Sequence, residues 1–115
     1  MPNYAEADRT DLVFRALAEA RRRAIVERLS RGPATVSELA TPSGLSLPTV
    51  LQHLGVLEDA GIVTSSKLGR TRTVSLVPGS LDGAASWLAA QRTPAERQAD
   101  RLANHLEAPP EGETS

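Results

Sequence analysis

The 115-residue chain has no cysteine, so disulfides, thiolate metal sites and a cysteine nucleophile are all excluded. Aromatic residues make up 3 % of it, with single copies of Tyr4, Phe14 and Trp87, and a core must therefore be built from Leu, Val, Ile and Ala. No run of about 18 apolar residues is present, which excludes a membrane-spanning helix, and neither a signal-peptide core nor a lipidation motif is seen. A cytoplasmic location is the resulting expectation. Excess charge is lacking too: 13 Lys and Arg stand against 14 Asp and Glu. Whole-molecule charge gives no argument for a nucleic-acid partner, but its distribution does. Arg21, Arg22, Arg23, Arg28 and Arg31 cluster early, Lys67, Arg70 and Arg72 cluster in the middle, and Glu107, Glu111 and Glu113 fall at the end. A basic surface can thus exist on a neutral protein.

What is present is helical periodicity with clear punctuation. Leu12, Val13, Ala16 and Leu17 mark a first amphipathic helix starting near Asp8, and Ile25, Val26 and Leu29 mark a second that stops at Gly32-Pro33. Thr35-Val36-Ser37-Glu38 has capping-box spacing and opens a short helix through Leu39 and Ala40, with Thr41-Pro42-Ser43-Gly44 read as the turn after it. The next segment, 46–60, is the most informative. Ser46 can cap its first amides, Pro48 is tolerated in the first turn, and Gly61 suits a left-handed stop. Val50, Leu54 and Leu57 form the stripe that packs, while Pro48, Thr49, Gln52 and Val56 point away. A short capped helix, a tight turn and this longer helix have helix-turn-helix spacing.

Residues 62–76 are rich in Val, Thr and Ser, with Leu68-Gly69-Arg70 between two short strands, and read as a β-hairpin carrying basic residues at its tip. Leu81, Ala84, Ala85 and Leu88 then repeat at helical spacing. A second capping-box pattern, Thr93-Pro94-Ala95-Glu96, opens a last helix with the stripe Ala95, Ala99, Leu102 and Leu106. The fold class is mainly α with a small β-hairpin, in the order α-α-α-α-β-β-α-α. We divide the chain into a flexible segment 1–7, a domain 8–107 and a disordered acidic tail 108–115 whose composition supplies no large apolar residue. A single domain of this size buries only about two-thirds of its unfolded surface, which makes help from a second copy natural.

Several separated motifs carry a family resemblance. Phe14-Arg15-Ala16-Leu17-Ala18, Arg22-Arg23-Ala24-Ile25-Val26-Glu27-Arg28-Leu29, Val36-Ser37-Glu38-Leu39-Ala40, Gln52-His53-Leu54, Val56-Leu57-Glu58, Ala60-Gly61-Ile62-Val63 and Gly69-Arg70 occur in that order. Together, over roughly residues 10 to 92, they resemble the ArsR/SmtB family of bacterial winged helix-turn-helix transcriptional regulators. The resemblance implies a homodimer built chiefly by the first helix and the helix near residues 80 to 92. It implies binding to a palindromic operator in double-stranded DNA, with helix 46–60 in the major groove, and tuning by an effector or partner protein. Carried over by position, Ser46, Thr49, Gln52 and His53 would face the groove, and Lys67, Arg70 and Arg72 of the wing 62–76 would meet phosphates or the minor groove. That division agrees with the rule that phosphate contacts position and base contacts specify.

Two departures from the family pattern stand out. Leu51 occupies a position where the family often has Ser, and core packing is its expected role, with contact to a thymine methyl the alternative. The cysteine pair and the Asp/His/Glu set that many members use for metal sensing are both missing. His53 reads as a groove or surface residue. His105 with Asp100, Glu107 and Asp82 leaves open a nickel- or zinc-responsive regulator, although Asp100 and His105 are five residues apart and do not share a helical face. Trp87 reads as core or interface packing, with the lining of an organic-effector pocket at the dimer interface as the alternative. The arginines at 21–23 read as a solvated helix start, although positive charge there mildly opposes the dipole, and a phosphate contact or an ion pair with an acidic neighbour would explain it. A protein-interaction winged helix is the competing function. No nucleophile–base spacing and no Gly-rich phosphate loop argues for an enzyme, and no cofactor is expected.

Overall fold

The computed structural model describes residues 4–107, with side chains from Arg9 to Leu106. Helices α1 (Tyr4–Leu17), α2 (Ala20–Leu29), α3 (Val36–Ser43) and α4 (Leu47–Asp59) precede strands β2 (Val63–Leu68) and β3 (Thr71–Leu76), and helices α5 (Asp82–Ala90) and α6 (Pro94–Glu107) follow. A two-residue strand β1 (Ala34–Thr35) lies between α2 and α3. It pairs antiparallel with β3, so the expected hairpin is one part of a three-stranded sheet of order β1-β3-β2. Two residues are too few for a period-2 pattern to register in a sequence. The first helix begins four residues ahead of the expected start, because Tyr4-Ala5-Glu6-Ala7 has good helix propensity without an apolar stripe. The tail 108–115 lies outside the described residues.

The chain divides into two compact units, Met1–Ala85 and Ser86–Ser115, with the boundary inside α5. The core of the first unit is aliphatic, as the shortage of aromatics requires. Val13 and Ala16 of α1, Ile25 and Leu29 of α2, Leu39 of α3, and Val50, Leu54 and Leu57 of α4 meet Ile62, Val63, Val74 and Ala84. Phe14 and Leu17 pack against its edge.

The capping box at the start of α3 forms in both directions: Glu38 N–H donates to the Thr35 hydroxyl over 3.1 Å, and Thr35 N–H donates to the Glu38 carboxylate over 3.3 Å. Helix α3 runs further than expected, through Pro42 to Ser43, and ends at Gly44 with φ 67°. Proline removes one amide there, and hydroxyls help hold the last turn. Thr41 Oγ1 donates to the Ser37 carbonyl at 2.9 Å and Ser43 Oγ to the Ala40 carbonyl at 3.0 Å. Only Gly44, Leu45 and the cap Ser46 therefore separate the two helices.

In the second unit, Thr93 caps α6 by accepting the Glu96 N–H at 3.1 Å. The reciprocal half of the expected box is replaced, since the Glu96 carboxylate accepts the Thr93 hydroxyl and pairs with Arg92 at 3.2 Å. Leu102 and Leu106 on the α6 stripe are exposed, as are Trp87 and Leu88 on α5. Trp87, at 54 % exposure, is not a core residue of the isolated chain.

Candidate nucleic-acid interface

Helix α4 forms as its sequence dictates. Thr49 N–H donates to Ser46 Oγ at 3.3 Å, Pro48 sits in the first turn, and the helix closes at Ala60 before Gly61 adopts φ 74°. Of the polar residues assigned to its reading face, Gln52 is exposed and its amide has no partner among the described residues. Thr49 is half-buried, and its hydroxyl lies 2.9 Å from that of Ser46, so the two share one local network at the helix start. His53 is turned toward α2: its Nδ1 is 3.5 Å from the Arg22 guanidinium, and the ring is half-buried. Leu51 does not join the core. It is 45 % exposed and, with Leu47, lines the cleft between α4 and the hairpin. Its helical angle places it about a quarter-turn from the Val50–Leu54–Leu57 stripe, too far round to be covered.

The arginine cluster has a structural explanation. Arg22 Nε donates to the Ala16 carbonyl at 2.6 Å and Arg22 Nη2 to the Arg15 carbonyl at 3.2 Å, while Arg23 Nη1 donates to the Leu17 carbonyl at 2.8 Å. These are the last carbonyls of α1, which lack partners within the helix and carry its negative dipole end. Glu19 caps α2, accepting the amides of Arg21 at 2.6 Å and Arg22 at 3.2 Å, and pairs with the Arg21 guanidinium at 3.8 Å. Desolvation opposes the Glu19 charge, but the two amide bonds and the charges of His53 and Arg21 outweigh it and hold the carboxyl below its ordinary value.

The wing has a two-residue loop. Leu68 pairs with Thr71 as the last residue of β2, and Gly69 (φ 63°) and Arg70 make the turn. A left-handed first position followed by an ordinary second one is the type II′ pattern, which matches the twist of a hairpin. This register places Val63 opposite Leu76, Ser65 opposite Val74, and Lys67 opposite Arg72. Directly opposed residues share a face of the sheet, so the face buried at the root of the hairpin becomes basic toward its tip. Lys67, Arg70 and Arg72 are exposed, have no acidic partner among the described residues, and line a cleft of about 480 Å³ with Leu47 and Leu51 of α4. Among the described residues one side-chain hydrogen bond ties helix to wing, Ser65 Oγ donating to Glu58 Oε1 at 2.7 Å, beside the backbone bond from Ile62 N–H to the Leu57 carbonyl at 3.0 Å. Sequence reasoning missed this pair because it joins a helix end to a strand with no shared period. The Lys67–Arg72 pairing was recoverable, since a two-residue loop at 69–70 dictates it.

The open metal reading gains no geometry. No group of three His, Asp or Glu donors converges among the described residues. Asp100 accepts Arg92 at 2.7 Å, and Glu107 has no described side chain.

A half-buried helix with a polar outer face, preceded by a short capped helix and followed by a basic hairpin, defines the winged helix-turn-helix class. A family profile described as a helix-turn-helix domain matches residues 14–66. The chain is 42 % identical over 97 residues to the HTH-type transcriptional regulator Rv2034 of Mycobacterium tuberculosis, covering 84 % of this chain and 81 % of that one. It is similar to a crystal structure of an ArsR family transcriptional regulator, RHA00566, at 43 % identity and TM-score 0.71, over 79 % of this chain and 92 % of the other. An ArsR-like transcriptional regulator from Rhodococcus sp. RHA1 shares 25 % identity and TM-score 0.70, over 95 % of this chain and all of its own. The chain belongs to the ArsR family of transcriptional regulators.

Proposed function

We propose that the protein acts as a homodimer on a palindromic operator, each subunit setting α4 into the major groove and its wing against the flanking backbone. The observation that carries this reading is the unneutralised placement of Lys67 opposite Arg72, with Arg70 at the turn. Like charges directly across a sheet destabilise it, and a row of phosphates is the partner that offsets the repulsion. Gln52, exposed and without a partner among the described residues, is the base-reading side chain, suited to bidentate pairing with adenine. Ser46 and Thr49 act at the start of the helix, where their shared hydroxyl network can meet a base edge or a phosphate. His53, held near Arg22, lies on the flank of the reading face.

Dimer formation is supported by apolar surface left uncovered in one chain, on Leu12 of α1 and on Trp87 and Leu88 of α5. Among the described residues no helix is long and apolar enough to cross a membrane, which accords with work on cytoplasmic DNA. The chemistry is binding, and none of the residues named has a catalytic role in it.

Titration against the promoter DNA beside the protein's own gene tests the reading. Gln52→Ala is expected to reduce discrimination among operator sequences by roughly 1 to 3 kcal/mol. Arg70→Ala should weaken all sequences alike and flatten the salt dependence. Unchanged specificity in the Gln52 variant would overturn the assignment of the reading face. Failure of any promoter DNA to bind would favour a protein partner for the same surface, and a stable monomer in sedimentation at working concentration would refute the dimer.

A further inference from the structure

A second cavity, of about 290 Å³, opens on the other side of the helix-turn-helix, between α2 and the α3–α4 pair. Ile25, Leu39, Leu45 and Val50 supply its apolar wall. Arg21, Arg28 and Arg31 stand at its rim with one acidic residue, Glu38. We propose that this cavity binds a small amphipathic carboxylate, with its apolar body inside and its charged group at the rim, and that occupancy changes the affinity of α4 for DNA. The second half of the proposal rests on the operator reading; the first does not.

The charge balance selects the ligand. Glu38 is already engaged, through one oxygen with the Thr35 amide at 3.3 Å and through the other with Arg28 at 3.6 Å. Arg28 also donates to the Gly32 carbonyl at 3.0 Å, and Arg21 faces Glu19 at 3.8 Å. Arg31 has no side-chain partner among the described residues. Its planar fork of donors matches a carboxylate bidentately. A neutral apolar molecule would desolvate guanidinium groups without replacing their water, and inorganic phosphate would leave the apolar wall wet. The volume lies at the lower end of small-molecule sites, roughly 300 to 1,000 Å³, so the ligand is compact: one ring or a short acyl chain.

The cavity is also well placed to act on the reading helix. Val50 follows Thr49 in α4, and Leu39 belongs to the helix that braces α4. A ligand wedged between α2 and these side chains repacks the base of the reading helix, and packed interfaces respond to such changes by shifting between discrete arrangements.

The test uses the full chain, with octanoate as the probe and 1-octanol as the uncharged control of equal length. Methyl signals of Ile25, Leu39, Leu45 and Val50 are followed by NMR, and affinity is measured by calorimetry. Octanoate is expected to shift these methyls. Arg31→Gln, at an exposed position with no side-chain partner among the described residues, should fold normally, weaken octanoate about tenfold and not weaken octanol. Octanoate that leaves the methyls unmoved, or binds the variant as tightly as the wild type, overturns the site. Octanoate that binds without altering affinity for a DNA that the protein does bind overturns the coupling. Octanoate bound by a protein that binds no DNA at all refutes the operator reading and leaves the carboxylate site standing.

Discussion

Replacing Arg72 by Gln separates the stability of the wing from its function. Arg72 faces Lys67 across the hairpin, and neither has an acidic neighbour among the described residues to relieve the repulsion. Favourable cross-strand pairs contribute about 0.2 to 1 kcal/mol and like charges act in the opposite direction, so Arg72→Gln should stabilise the free protein by some tenths of a kcal/mol. The gain should be largest near 0.01 M salt, where charges act over about 30 Å, and nearly vanish at 1 M, where they act over about 3 Å. Urea denaturation followed by circular dichroism at both salts measures it. On DNA the same change should be harmful. With about one phosphate for each of Lys67, Arg70 and Arg72 in both subunits, the slope of log affinity against log salt is about −5.4, and the variant should bring it to about −3.6. Fluorescence anisotropy with labelled operator gives both slopes. A variant that is less stable at low salt, or whose salt slope matches the wild type, would refute the argument that the pair is kept for phosphate.

Two further outcomes test the scaffold. Leu57 is fully buried in α4, and Leu57→Ala should cost about 2 to 5 kcal/mol in urea denaturation; a loss below 1 kcal/mol would show that the core is not centred there. Glu19 gives a pH dependence with a definite sign. Its folded pKa lies below the ordinary 4.5, so its contribution is complete above that value and is lost as pH falls through the depressed folded one. Thermal melts of Glu19→Gln from roughly pH 6 to pH 3 should fall less steeply than those of the wild type, and parallel curves would show that the cap is not formed.

The helices and hairpin were legible because each is bounded by side chains that act locally: Ser46 and Thr35 as caps, Gly44 and Gly61 as left-handed stops, and the Val50–Leu54–Leu57 stripe as the buried face. What was not legible depends on partners far along the chain. Strand β1 exists only because β3 arrives to pair with it. Arg22 reads as an awkward charge until the end of α1 is brought within reach of its guanidinium. The apolarity of Leu51 suits the core as well as a surface, and only the fold shows that it lines the cleft between helix and wing. At the candidate site, the exposed polar and basic positions Gln52, Lys67, Arg70 and Arg72 can be read from the helical spacing and the hairpin composition. The sharing of one sheet face by Lys67 and Arg72 follows from the two-residue loop.

The hydrogen bond from Ser65 to Glu58 joins the far end of α4 to the strand that leads into the wing. On the operator reading, it makes the pair behave as a gauge of set opening. The separation between the groove that α4 enters and the phosphates that the wing meets is then decided before any DNA arrives, and the double helix must do the adjusting. Sequences with identical bases at the contacted positions will differ in affinity according to how readily the steps between them narrow, widen or bend. Some of the selectivity of this protein would therefore be written in base pairs that it never touches.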